Sequence, residues 1–135
     1  MRPTLFFIYN ANSGFLNGAL DSLHKMVSPS TYPCKLCELT HGYFSQRSYW
    51  KDYSNGLNDA GYDLRFLHKD EMGDWPVNFS LLPSVYFYHN GYLELIAGPS
   101  ELAEMNKPED LAQSIDKNIG NIKIANSNKQ FSLSR

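Results

Sequence analysis

The stretch LLPSVYFYHNGYLELIA, residues 81–97, gives the clearest structural signal in this chain. It contains two apolar runs, Val85–Tyr88 and Tyr92–Ala97, separated by a short polar turn. Asn90 and Gly91 in that turn can supply the positive φ angles that a tight connection requires. The pattern therefore predicts a β-hairpin.

The rest of the chain alternates between strand and helix patterns. The apolar run Leu5–Tyr9 predicts a central strand covered on both faces, and the alternation over Tyr62–Leu67 predicts another strand. Apolar residues at helical spacing predict helices over Phe15–Val27, Tyr49–Leu57 and Pro108–Ile119. The predicted order is strand, helix, helix, strand, short acidic helix or loop, strand, strand, helix.

The length of 135 residues and the composition indicate one folded domain. Hydrophobic residues make up 42% of the chain, which argues against disorder, and a net charge of −2 offers nothing to attract nucleic acid or an anionic membrane. We expect residues 1–120 to form the domain and residues 121–135 to form a flexible C-terminal tail. No apolar stretch of the sequence approaches the ~20 residues that cross a bilayer, so we expect a cytoplasmic protein.

The two cysteines of the chain, Cys34 and Cys37, have CxxC spacing. Such a pair closes a small disulfide, exchanges with another protein's disulfide, or holds one side of a metal site. For exchange, Cys34 would be the attacking thiol, stabilised as thiolate by a helix N-terminus, and Cys37 the resolving thiol. Lys35 would favour the thiolate and Glu38 would oppose it. The partners would be protein thiols or disulfides, without a cofactor.

Zinc binding is the alternative function of the same segment. Cys34, Cys37 and His41 follow one another at spacings of three and four, so they could reach one tetrahedral zinc ion. A closed site needs a fourth ligand, for which His24 is the best candidate. Three other polar side chains are the next candidates for this fourth ligand: His68, Asp70 and Glu71. A third interpretation treats both cysteines as small buried hydrophobes.

Aromatic residues are frequent after the cysteines. Core packing of one helix explains them, although an exposed set would form a face for a partner. The residues concerned are Tyr43, Phe44, Tyr49, Trp50 and Tyr53.

The predicted order of elements and the segment LLPSVYFYHNG, residues 81–91, resemble the thioredoxin fold. Thioredoxin-like proteins place a cis-proline directly before this hairpin, facing the CxxC motif across the active site. The resemblance implies an α/β fold with a thioredoxin-like central sheet flanked by helices. It also implies thiol-disulfide oxidoreductase activity, with Pro83 as the cis-proline and Cys34 as the attacking thiol.

The chain departs from thioredoxins between the first strand and the cysteines, where Asn10–Pro33 intervene and hold an extra predicted helix before the CxxC motif. Two arrangements follow from this departure. Either the extra helix is an insertion and the cysteines still begin the next helix, or the cysteines lie in a loop away from the usual site.

A second resemblance concerns Tyr9–Gly14 and Val27–Cys34, which look like segments of a group of small, largely uncharacterised bacterial proteins, some of which carry a GTPase label. The sequence does not support that activity, because it has no GxxxxGK segment to bind a nucleoside triphosphate. Asn12–Gly14 could offer backbone amides to an anion, but ordinary helix capping explains the same residues.

Overall fold

The computed structural model describes residues 2–10, 35–41, 44–68, 70–71 and 81–133. The predicted helix over Phe15–Val27 lies outside these residues. The described strands are β1 (Thr4–Ile8), β2 (Asp63–Leu67), β3 (Ser84–His89) and β4 (Tyr92–Ala97). The described helices are α1 (Lys35–His41), α2 (Phe44–Asp59), α3 (Pro99–Ala103) and α4 (Pro108–Leu133).

The four strands form one mixed sheet in the order β2-β1-β3-β4. Strands β1 and β2 are parallel, whereas β3 runs antiparallel to both β1 and β4. Helices α1 and α2 connect the parallel pair, as parallel strands require a crossover. The α/β class with a central sheet flanked by helices is therefore confirmed.

Strand β1 is buried on both of its faces, as its unbroken apolar sequence predicted. Leu5, Phe7 and Tyr9 point into one core cluster, and Phe6 and Ile8 into another, with exposures of 2% or less. Every described helix contributes to the first cluster, through Leu36, Leu39, Trp50, Leu57, Leu102, Leu111, Ile115 and Ile119. Each such side chain stabilises the fold by about 1.5–3 kcal/mol relative to exposure.

The hairpin between β3 and β4 confirms the prediction from Asn90 and Gly91. Both residues have positive φ, 52° and 86°, and His89 pairs with Tyr92 across the two-residue turn. Toward the other end of β4 the register shifts, and the Asn118 side chain of α4 donates a hydrogen bond of 3.0 Å to the Ile96 carbonyl. The helix thus binds a backbone carbonyl of the strand on which it packs.

Helix α4 begins at Pro108, as predicted, but continues well past the predicted end at Ile119. The Asp110 carboxylate accepts the backbone N–H groups of Asn106 and Lys107, which caps the N-terminus. The helix runs to Leu133 and so includes residues 121–133 of the expected tail. Just past the predicted end, Ile122 still contacts the core. Among the described helices, none is long and apolar enough to cross a membrane.

Candidate functional site

The carboxyl ends of the parallel strands and the start of β3 meet at one edge of the sheet, here called the carboxyl edge. Ile8 pairs with Leu67 on one side and with Ser84 on the other. The residues that flank these positions, Tyr9, His68 and Pro83, therefore stand side by side. Ligand sites of α/β proteins are commonly found at the carboxyl ends of parallel strands.

Pro83 occupies this edge through the bend that precedes β3. The Leu82–Pro83 peptide bond is cis, which is the geometry that the thioredoxin resemblance implied. The Ser84 hydroxyl donates a hydrogen bond of 2.6 Å to the Leu81 carbonyl and closes the bend. Pro83 itself is half-buried.

Cys37 lies in the first turn of α1, which begins directly after Cys34. Its side chain is 0% exposed and belongs to the core cluster that contains Leu36 and Leu39. Cys37 is therefore helical, which excludes the arrangement that would place it in a loop. Its burial also excludes it as the thiol that first meets a protein substrate. Cys34 lies outside the described residues.

Thr40, one turn beyond Cys37, ties α1 to the end of β1. Its hydroxyl donates to the Leu36 carbonyl at 2.9 Å, so the Tyr9 hydroxyl, 3.2 Å from Thr40 Oγ1, is the donor to Thr40. Tyr9 and Thr40 are 1% and 2% exposed. These buried hydrogen bonds hold the cysteine-bearing helix against the carboxyl edge.

The charges beside the cysteines on α1 pair with each other. Lys35 Nζ lies 3.6 Å from Glu38 Oε2, one helical turn apart. The sequence suggested that Lys35 would favour a thiolate and that Glu38 would oppose it. Because Lys35 and Glu38 form an ion pair, their opposite charges would act on a thiolate from nearly the same position.

His68 and Glu71 form a second polar group at the carboxyl edge. Glu71 Oε1 accepts the His68 backbone N–H at 2.9 Å and also bonds His68 Nδ1. The hydrogen bonds from His68 lower the pKa of the Glu71 carboxyl. The imidazole stacks on the Tyr9 ring, with centroids 5.4 Å apart and planes 25° apart.

The ligand set of the zinc alternative is not assembled within the described residues. Cys34 and His24 lie outside them, and His41 is the last residue of α1. No group of three His, Cys, Asp or Glu side chains with metal-binding geometry occurs in the part of the chain that the structure describes. His68 and Glu71, which the sequence suggested as reserve ligands, bond each other instead.

The aromatic residues of α2 mainly build the core. Trp50 is 6% exposed and meets the Phe7 ring edge-on at 5.3 Å. The Tyr53 hydroxyl donates to Asp116 at 2.7 Å, and burial together with this bond raises the pKa of Tyr53 far above its usual range. Tyr49 is 37% exposed, whereas Tyr43 lies outside the described residues. Core packing is thus confirmed for Trp50 and Tyr53.

The sequence pattern predicts neither Tyr9 and Thr40 as site residues nor the bond between His68 and Glu71. One local signal was present, since His68 and Glu71 are three residues apart directly after a predicted strand. The contacts of Tyr9 with Thr40 and His68 join distant parts of the chain, and nothing in the sequence pattern indicates them.

Searches of protein-family models, curated proteins and solved structures find no match to this chain.

Proposed function

We propose that this protein is a thioredoxin-like thiol-disulfide exchange protein that acts on protein thiols or disulfides through Cys34 and Cys37, with Pro83 shaping the site. One observation carries the proposal. The helix that begins directly after Cys34, and that carries Cys37, is hydrogen-bonded to Tyr9 at the same sheet edge as the Pro83 bend.

The order of the described elements supports the same fold. Strand β1 is followed by helices, by the parallel strand β2, and then by the hairpin of β3 and β4 with a closing helix. This is the order on which the resemblance to thioredoxins rests. The helical position of Cys37 favours the arrangement in which Asn10–Pro33 are an insertion before the motif.

The burial of Cys37 fits the role of resolving thiol. Cys34 attacks a substrate disulfide, so one substrate sulfur leaves as a thiol and the other stays bonded to Cys34. Cys37 then attacks Cys34 Sγ from inside the protein, which releases the second substrate thiol and forms the Cys34–Cys37 disulfide. The substrate gains two electrons, and the two cysteines lose them.

Trapping with glutathione disulfide tests this division of roles. We expect Cys37→Ala to accumulate one glutathione per chain by mass spectrometry, because no thiol remains to resolve the mixed disulfide. Cys34→Ser is the matched control and should stay unmodified, because the buried Cys37 cannot reach the reagent. Equal labelling of the two variants, or labelling of neither, would contradict the proposal.

Metal analysis of the purified protein tests the zinc alternative in the same preparation. A redox site should titrate as a reversible two-electron couple in glutathione buffers and should keep its stability in chelator. Zinc at about one ion per chain, with a loss of stability when a chelator removes it, would overturn the exchange proposal in favour of a metal site.

A further inference from the structure

Strand β4 lies at one edge of the described sheet and exposes apolar side chains there. Tyr92 is 66% exposed and Leu95 is 42% exposed. An open strand edge is a place where a further strand can pair, and proteins commonly protect such edges with lysine, proline or a bulge. Strand β4 contains neither lysine nor proline, and its register shift comes only after Leu95. The outer side of β4 therefore has the properties of a pairing surface.

The hairpin decides which backbone groups of β4 point to this outer side. The two-residue turn makes His89 and Tyr92 a hydrogen-bonded pair, and bonded and non-bonded pairs alternate along an antiparallel ladder. Glu94, two residues beyond Tyr92, therefore also bonds β3. The N–H and C=O groups of Leu93 and Leu95 point away from β3, to the side on which no other described strand pairs. These four groups have the direction that an added strand requires.

One face of β4 is apolar. Leu93 packs against the core cluster that contains Phe6, and Leu95, two residues further on, lies on the same face. A Cβ added to Gly98 would lie 3.4 Å from Leu95 Cδ2 and 3.9 Å from Leu81 Cδ1, so the two leucines flank this glycine. Leu81 is 40% exposed. The apolar surface thus continues from β4 to the bend before β3.

The opposite face of β4 and the segment that follows it are acidic. Tyr92 and Glu94 are exposed and alternate with Leu93 and Leu95, which places them on the other face of the sheet. Residues 90–106 contain no lysine, arginine or histidine. They contain three carboxylates, all of them exposed: Glu94, Glu101 and Glu104. The charge beside this edge complements a basic partner.

The same charge disfavours a second copy of this chain as the added strand. Two β4 strands could pair antiparallel with Leu93 of each copy bonded to Leu95 of the other. That register places the Glu94 side chains of the two copies directly opposite each other, and like charges in this position destabilise a sheet. A strand that carries lysine or arginine opposite Glu94 is attracted instead.

We propose that the outer edge of β4 binds an extended segment of another protein by strand addition, and that this segment alternates apolar with basic residues. Its backbone bonds the N–H and C=O groups of Leu93 and Leu95. Its apolar side chains contact Leu95 and Leu81, and its basic side chains lie beside Glu94. Main-chain bonds supply affinity in this mode of recognition, and the alternating side chains supply specificity. The inference does not depend on the proposed exchange function.

Model peptides test the proposal on the whole protein. The probe is a capped peptide of about eight alternating valine and lysine residues, long enough to span β4. We expect it to slow hydrogen exchange of the Leu93 and Leu95 amides on the order of 10-fold at saturation. The Glu94 amide, already bonded to β3, should change less. A peptide with glutamate in place of lysine and a peptide with methylated backbone nitrogens are the controls, and both should protect neither leucine amide.

A charge reversal tests the chemistry of the partner. Glu94→Lys should weaken binding of the valine–lysine peptide about fivefold to tenfold, because it turns an attractive cross-strand pair into a repulsive one. Asp52→Lys is the matched control. It makes the same charge change at an exposed position of α2, which contacts β2 at the other edge of the sheet. This variant should bind the peptide as the native protein does.

Each other outcome overturns the proposal. If the valine–lysine peptide protects neither leucine amide at about millimolar concentration, the edge does not accept a strand of this kind. Equal binding of the acidic or the methylated peptide removes the basic partner or the strand pairing, respectively, and so does native affinity in Glu94→Lys for the charge contact. If both amides become protected without peptide as the protein concentration rises, the edge pairs with a second copy of the chain instead.

Discussion

The two ends of the parallel strands β1 and β2 differ in how their polar groups are hydrogen-bonded. At the amino end of β1, the Arg2 guanidinium donates hydrogen bonds of 2.8–3.2 Å to the carbonyl groups of Asn58, Gly61 and Tyr62, which fixes the end of α2. At the carboxyl end, His68 keeps a buried nitrogen without a partner among the described residues. The first arrangement satisfies backbone groups, whereas the second leaves His68 Nε2 unsatisfied within the described residues.

The exit of α2 is a complete C-cap, because Tyr62 N–H bonds the Leu57 carbonyl and Gly61 N–H bonds the Asn58 carbonyl at 3.1 Å each. Substitutions there should change stability alone. Substitutions at the carboxyl edge should change stability and thiol chemistry separately, because the packing groups and the titratable groups are different atoms.

The largest stability effect is expected from Tyr9→Ala at the carboxyl edge. Tyr9 is 1% exposed and packs against Phe66 and His68, so its removal leaves a cavity and should lower the free energy of unfolding by about 3–5 kcal/mol. Tyr9→Phe is the control and should cost about 1 kcal/mol, because it removes the hydrogen bond to Thr40. Denaturant titration measures both, and a Tyr9→Ala variant within 1 kcal/mol of Tyr9→Phe would contradict the packing role.

Gly61→Ala should have the next largest effect on stability, at the amino end of the strands. Gly61 has φ 106°, which side chains rarely adopt, so alanine should destabilise the protein by about 1–3 kcal/mol although its Cβ meets no neighbour. Gly56 lies inside α2, and a Cβ added there would also meet no neighbour. Gly56→Ala should therefore stabilise the protein by about 0.5–1 kcal/mol. Equal signs for the two variants would refute the C-cap argument.

The parts of the fold that the sequence predicted are those set by local physics. A tight turn requires positive φ at both central residues, and the pair Asn90–Gly91 is typical of such a turn. Five consecutive apolar residues identify Leu5–Tyr9 as a strand covered on both faces. Pro108 likewise marks the start of α4. Each of these features depends on neighbours in the chain, so the sequence pattern is sufficient.

The parts that the sequence missed depend on contacts between distant residues. Tyr9 contacts Thr40 and His68 only after the sheet and α1 have assembled, so neither contact produces a periodic pattern in the sequence. The far part of α4 is polar, yet Lys123 packs its ammonium group 5.5 Å from the Tyr62 ring centroid. Helix α3 was also missed; its signal was Pro99 in the first turn with Glu101 accepting the Gly98 N–H at 3.2 Å.

Arg2→Ala should have a smaller effect at the amino end of β1. It removes three hydrogen bonds to carbonyl oxygens at the exit of α2, but about half of the Arg2 side chain is exposed and water replaces part of the loss. We expect a cost of about 1 kcal/mol in urea unfolding. Arg65→Ala, an exposed arginine on β2, is the matched control and should stay within about 0.5 kcal/mol of the native protein. Arg2→Ala should also leave thiol exchange unchanged.

The smallest effect is expected from Glu71→Gln, and its size depends on pH. The folded pKa of the Glu71 carboxyl lies below its unfolded value, because His68 donates hydrogen bonds to it. The stabilisation is therefore present above the unfolded pKa and is lost as pH falls through the folded pKa. The difference in unfolding free energy between the native protein and Glu71→Gln should shrink as the pH falls below about 4.5. Glu94→Gln, at an exposed carboxylate on β4, is the control for general acid effects. A difference that does not shrink in this range would mean that the hydrogen bonds from His68 do not stabilise the Glu71 carboxylate.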